Sequence, residues 1–111
     1  MINDDIIAVK DDILSAVGDL CEKIILFGSH ANDTPREDSD YDFFVVLPDG
    51  GMRPLDAALQ IRLALADINR RVALDVLTGY RSAFESRKTL NTLENKIDRE
   101  GVLLYERERA A

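Results

Sequence analysis

Gly28-Ser29-His30-Ala31-Asn32-Asp33-Thr34-Pro35-Arg36-Glu37-Asp38-Ser39-Asp40-Tyr41-Asp42 joins a Gly-Ser turn to two aspartates one residue apart. The apolar run Ile24-Ile25-Leu26-Phe27 precedes it, and Phe43-Phe44-Val45-Val46-Leu47 follows it. Short apolar runs bounded by polar stretches read as buried strands. The spacing therefore predicts one strand over Lys23 to Phe27 and a second over Asp40 to Leu47. A turn at the end of one strand and a carboxylate pair at the start of the next suit a metal-bound nucleoside triphosphate.

Outward from that segment the chain alternates helix and strand signals. Ile6, Val9, Ile13, Val17 and Leu20 recur at steps of three and four, which predicts an amphipathic helix over residues 4 to 20. Residues 28 to 38 are polar and contain Pro35, so a short helical turn and then a loop are expected. Pro48-Asp49-Gly50-Gly51 is a turn signal. Ala58, Ile61, Leu65 and Ile68 mark a helix from Leu55 to Asn69. Val72 to Leu77 reads as a third strand, stopped near Thr78-Gly79. Leu90, Leu93 and Ile97 form a third helical stripe, with Gly101 just past its end. Val102 to Tyr105 reads as a short final strand, and the polar tail 106 to 111 is expected to fray. The pattern predicts a single domain over residues 1–111 of the α+β (mixed α/β) class, with a small mixed sheet flanked by helices.

Composition narrows the functions open to such a domain. The 14 basic and 21 acidic residues give a formal charge of −7, and no Lys/Arg run stands out. A direct nucleic-acid groove is not expected. The single cysteine, Cys21, excludes an internal disulfide framework, and no Cys/His set could build a zinc site. No apolar run is long enough to span a membrane and no signal-peptide pattern opens the chain, so the expected location is the cytoplasm.

The carboxylates carry the chemistry. Side chains alternate along a strand, so Asp40 and Asp42 share one face. Two such groups repel each other, and a divalent cation removes the repulsion. The structural alternative is that both simply face solvent at a loop end. Asp75 lies within Val72-Ala73-Leu74-Asp75-Val76-Leu77, where a carboxylate is costly unless paired or metal-bound. An ion pair with Arg70 or Arg71 is the alternative there. If the Asp75 strand lies beside the Asp40–Asp42 strand, three carboxylates converge, and such a trio can hold two metal ions for in-line attack at phosphorus. Gly28 leaves room for the backbone to approach a phosphate, and Ser29 offers a hydroxyl and an amide at the start of a short helix. His30 is the only histidine; it could touch a phosphate or base, or be an ordinary surface residue.

Gly28-Ser29, ten residues, and then Asp40-Tyr41-Asp42 resembles the signature of the nucleotidyltransferase superfamily that includes DNA polymerase β. The context Ala31, Ser39 and Leu74-Asp75-Val76 resembles its smallest branch, the minimal nucleotidyltransferase (MNT) domains. The closing Arg99-Glu100-Gly101-Val102-Leu103-Leu104-Tyr105 is similar to the end of such domains. The resemblance implies a polymerase β-like nucleotidyltransferase fold. It implies that Asp40 and Asp42 bind Mg²⁺, that Asp75 completes the metal site and helps deprotonate the acceptor, and that Gly28 and Ser29 cradle the β- and γ-phosphates. The family position of His30 is frequently Arg or an aromatic residue, so the nucleotide contact there departs from the pattern.

The reaction implied transfers a nucleoside monophosphate, most often AMP from ATP, to a hydroxyl and releases pyrophosphate. Larger relatives carry an added helical domain for the acceptor, and this chain has no residues to spare for one. The acceptor is therefore expected to bind at an open face or to be supplied by a second protein, and the resemblance implies a small helical HEPN-domain toxin as that partner, with this chain as its antitoxin in a homo- or hetero-oligomer. Two alternatives stay open: a non-catalytic module that neutralises its partner by occlusion, and transfer to a small molecule such as an antibiotic.

Overall fold

The computed structural model describes residues 2–31 and 40–108. Four strands form one mixed sheet: β1 (Lys23–Phe27), β2 (Tyr41–Leu47), β3 (Leu74–Tyr80) and β4 (Val102–Glu106), in the order β3-β2-β1-β4. β1 runs antiparallel to both β2 and β4, whereas β2 and β3 are parallel. Helices α1 (Asp4–Val17) and α2 (Pro54–Ala64) cover one face, and α3 (Arg81–Arg87) and α4 (Leu93–Glu100) pack on the other. This is the small mixed α/β architecture expected from the sequence.

Alternation along the strands divides the core in two. Ile24, Leu26, Phe43, Val45, Leu47 and Val76 pack under α1 and α2 with Ile6, Val9, Ile13, Ala57 and Ile61. Ile25, Phe44 and Val46 face the opposite way, against Phe84 of α3 and Ile97 of α4. Full burial of each such aliphatic or aromatic side chain contributes about 1.5–3 kcal/mol. Because parity decides the face, Asp42 and Asp75 lie on the α3/α4 side with Phe44 and Leu77.

Element ends follow local chemistry. Asn3 caps α1 by accepting the Ile6 N–H at 2.9 Å, and Asp4 and Asp5 favour the positive end of the helix dipole. The helix stops at Val17 rather than at residue 20, because Gly18 turns the chain with φ 53° into a 3₁₀ turn, Gly18–Leu20. α2 starts at Pro54, where a missing N–H costs nothing, and ends at Ala64; the rest of the expected helix becomes a separate 3₁₀ turn, Ile68–Arg70.

Three expectations are corrected. β3 begins two residues late and does not stop at Thr78-Gly79. Its parallel pairing with β2 runs on to Leu47↔Tyr80, and Gly79 lets the Phe44 ring pack against the strand. α3 was not expected, since it is only seven residues long and buries one side chain, Phe84. Leu90 precedes α4 and is exposed; Thr92 caps that helix by accepting the Asn95 N–H at 3.2 Å. Most of the helical turn and loop expected over residues 28 to 38, together with Ser39 and the last three residues of the tail, lies outside the described residues.

Candidate active site

Asp42 and Asp75 are Cα partners in the parallel β2–β3 register, and Phe27 is the partner of Asp42 across the antiparallel β1–β2 pair. The row Asp75–Asp42–Phe27 thus crosses three adjacent strands, about 4.8 Å apart. Like charges directly opposite each other in a sheet repel. The effect is visible at Asp42, whose carboxyl is raised above the ordinary carboxylate range. Burial contributes most, followed by the negative charges of Asp75 and Asp40, while His30 acts in the opposite direction.

Gly28 follows β1 with φ 78°, a left-handed conformation that glycine adopts without strain. The Ala31 N–H donates to the Gly28 carbonyl at 3.1 Å, which closes a turn. Ser29 sits inside that turn, and no helix begins at Ser29 among the described residues. A Cβ at position 28 would overlap Oδ2 of Asp42. The absence of a side chain therefore lets the carboxylate stand against the turn.

His30 is held by a relay from α1. Asn3 donates its side-chain amide to the Tyr41 hydroxyl at 3.0 Å, and the Tyr41 ring stacks on the His30 imidazole with centroids 3.9 Å apart and planes 18° off parallel. This keeps His30 within charge range of Asp42. His30 is thus half-buried against Tyr41 at the surface of the turn.

Asp75 corrects an expectation. Its apolar neighbours in sequence suggested a buried carboxylate, but β3 is an edge strand and Asp75 is exposed. Desolvation does not force it to find a partner. The ion pair considered with Arg71 does not form: Arg71 binds Asp5 at 2.8 Å. Asp40 is exposed at the mouth of β2 and acts on Asp42 through its charge.

The donor set fits a hard divalent cation, since Asp40, Asp42 and Asp75 offer only carboxylate oxygens and their mutual repulsion is what such an ion relieves. Among the described residues, no three His, Cys, Asp or Glu side chains already stand together as a metal-binding group. An ion held by one or two carboxylates and by substrate phosphates suits this spread arrangement, which is the usual habit of Mg²⁺. Among the described residues, no helix is long and apolar enough to cross a membrane.

A strand–turn–strand unit carrying a carboxylate pair, with a third carboxylate on the neighbouring parallel strand, is a nucleotidyltransferase architecture. The sequence pattern of the family described as polymerase beta, nucleotidyltransferase, matches residues 12–110, and the chain belongs to that family. No curated protein matches it. Solved structures share the fold. A toxin–antitoxin crystallised with AMP-PNP superposes with a TM-score of 0.64 at 18% identity, covering 96% of this chain and 76% of that one. A putative nucleotidyltransferase from Sulfolobus solfataricus gives 0.61 at 17% identity, covering 90% and 76%. A mutant of the toxin–antitoxin MntA-HpeT gives 0.61 at 16% identity, covering 96% and 75%.

The Gly28 turn also borders a hollow on its α4 side. A cavity of about 150 Å³ opens between Phe27, Gly28 and α4, with Leu93, Lys96, Ile97 and Glu100 on its helical side. The helical stripe Leu93–Ile97 is legible in the sequence, but only the packing of α4 on β1 shows that it borders Gly28.

Proposed function

We propose that this chain is a Mg²⁺-dependent nucleotidyltransferase that moves AMP from ATP to a hydroxyl of a partner protein. In this reading it is a single MNT domain acting in the cytoplasm as the antitoxin of a HEPN/MNT toxin–antitoxin pair. The observation that carries the enzymatic part is the opposition of Asp42 and Asp75 on paired strands beside a glycine turn. Occlusion of a partner needs none of these carboxylates, and their mutual repulsion costs stability unless it serves a ligand. The protein-directed part is supported by similarity of fold to two toxin–antitoxin structures, one of them crystallised with AMP-PNP.

In this reading Asp40, Asp42 and Asp75 hold the metal, and Gly28 and Ser29 meet the β- and γ-phosphates. His30 stands close enough to Asp42 to orient the nucleotide. Bound Mg²⁺ would supply charge neutralisation at the phosphates. Asp75, exposed at the sheet edge, accepts the proton of the incoming hydroxyl. The rest of the work is positioning, as expected for phosphoryl transfer.

The test is labelling of proteins in a lysate of the source cells with α-labelled ATP and Mg²⁺, beside the double variant Asp40→Asn/Asp42→Asn. A labelled protein band seen only with intact aspartates is expected. Equal labelling by the double variant would sink the assignment. Absence of both labelling and Mg·ATP binding would favour a binding module.

A further inference from the structure

We infer that the cleft between the end of β1 and α4 is the subsite for the base of the nucleotide, contacted at its edge by Lys96 and Glu100; this deepens the reading just given and rests on it. The cleft is lined by Phe27, Gly28, Leu93, Lys96, Ile97 and Glu100 and encloses about 150 Å³. At about 30 Å³ of liquid per water, that is room for roughly five waters, enough to seat a planar heterocycle that stays open on one side.

Position is the first argument. Phe27 and Asp42 are register partners, so their side chains share a face and the cleft begins one strand spacing from the carboxylate. Gly28 belongs both to the turn against Asp42 and to the wall of the cleft. A group lodged here is contiguous with phosphates at that turn. Asp75 closes the other end of the row, two strands away, which leaves the acceptor on the opposite side from the cleft.

Chemistry is the second argument. Ligand sites are mostly apolar with a few placed polar groups. Here Phe27 offers an aromatic face, while Leu93, 47% exposed at the rim, and buried Ile97 offer aliphatic walls. Lys96 donates and Glu100 accepts, matching the adjacent acceptor and donor positions on the edge of a nucleobase. Among the described residues the Lys96 side chain has no ion-pair partner, and Glu100 has only Arg99 at 3.8 Å.

Rigidity is the third. Asn95 donates its side-chain amide to the Lys88 carbonyl at 2.6 Å and accepts from Arg99 Nε at 2.9 Å. Arg87 Nε binds Glu94 at 2.7 Å. The contacts with Lys88 and Arg87 tie α4 to the end of α3, and buried Ile97 packs it on the sheet in the cluster that includes Phe27, so its distance from Phe27 is set before any ligand arrives. The bland alternative is an ordinary groove beneath a short helix, and it predicts no effect on nucleotide binding.

The experiment compares calorimetric titrations of Mg·ATP and of inorganic Mg·tripolyphosphate, which has phosphates but no base. The proteins are the wild type, Leu93→Gln and Lys96→Met, each checked for folding by circular dichroism. The wild type should bind ATP more tightly than tripolyphosphate by roughly 5- to 150-fold, the range of base stacking. Both variants should lose most of that advantage while holding tripolyphosphate as before. Equal affinity of the wild type for the two ligands, or ATP affinity unchanged in both variants, overturns the base subsite and leaves the nucleotide reading standing. A wild type that binds neither ligand overturns both.

Discussion

A side-chain carbon at Gly28 would overlap the carboxylate oxygen Oδ2 of Asp42 and lie 3.3 Å from its Cγ. Gly28 also holds φ at 78°, where an L-residue is strained by about 1–2 kcal/mol. Gly28→Ala must either displace Asp42 or reshape the turn. We expect a loss of at least about 1 kcal/mol in urea unfolding and a much weaker response of the melting temperature to Mg·ATP. Unchanged nucleotide stabilisation in Gly28→Ala would show that the turn and the carboxylate act independently.

Asp42→Asn should trade activity for stability. In the folded protein the carboxyl holds its proton above its ordinary value, because of burial first and then Asp75 and Asp40. The folded state therefore binds more protons than the unfolded one over that interval, and stability falls as pH rises through it. Asn carries no charge and escapes this loss. At neutral pH the variant should be more stable by a few tenths to about 1 kcal/mol, with the gap closing as pH falls below the ordinary carboxylate range. Chemical denaturation at pH 3 and pH 7 measures it; a variant less stable at both would mean that Asp42 has favourable contacts outweighing the repulsion.

Much of this site was legible before the fold, and the reason is physical. Strand alternation alone puts Asp40 and Asp42 on one face, and a glycine after an apolar run marks a close backbone approach. Pairing of Asp42 with Asp75 was not legible, since register depends on which strands become neighbours and in which sense. The burial expected of Asp75 failed for the same reason: Val72-Ala73-Leu74 reads as interior, and only topology makes β3 an edge. α3 escaped notice because its seven residues bury one phenylalanine and give no period to detect. Gly101 was placed correctly for a reason that does not apply. A helix-ending glycine is expected in the left-handed region, yet the φ of Gly101 is −74°, which any residue adopts.

Asp75→Asn separates the roles assigned to the two strands. Asp75 is exposed at the sheet edge and lies two strands from the cleft beside Phe27. If it takes the proton of the acceptor hydroxyl, its loss should lower the transfer rate by roughly 10²- to 10⁴-fold. ATP affinity should fall far less. Parallel losses in rate and affinity would make Asp75 a binding residue instead.

Cys21 should behave as an inert core atom. It is fully buried, its thiol donates to the Lys23 carbonyl at 3.6 Å, and burial, with Glu22 second, pushes its pKa from 9.0 up to about 12. The thiolate is the reactive form, so a disulfide reagent at pH 8 should react only as fast as the protein opens, and at once in denaturant. Because the unfolded thiol ionises near 9 while the folded one stays protonated, its contribution to stability should drain away between pH 9 and pH 12. Rapid stoichiometric labelling of the native protein would contradict the full burial of Cys21 between the Gly18–Leu20 turn and β1.

Gly101→Ala tests whether α4 is held at a fixed distance from β1. A Cβ there would lie 2.5 Å from the Ile97 carbonyl oxygen, 2.6 Å from Ile25 Cγ2 and 3.1 Å from the Leu26 carbonyl oxygen. Two of these atoms belong to the backbone of packed elements and cannot swing aside, so α4 must shift outward. Overpacking of this kind costs about 1–3 kcal/mol. The same shift would widen the cleft that Ile97, Lys96 and Glu100 share with Phe27. Loss of stability should therefore be accompanied by loss of the affinity advantage of ATP over tripolyphosphate, although the substituted residue does not line the cleft. A variant destabilised to that extent yet still discriminating normally between the two ligands would uncouple the position of α4 from base recognition.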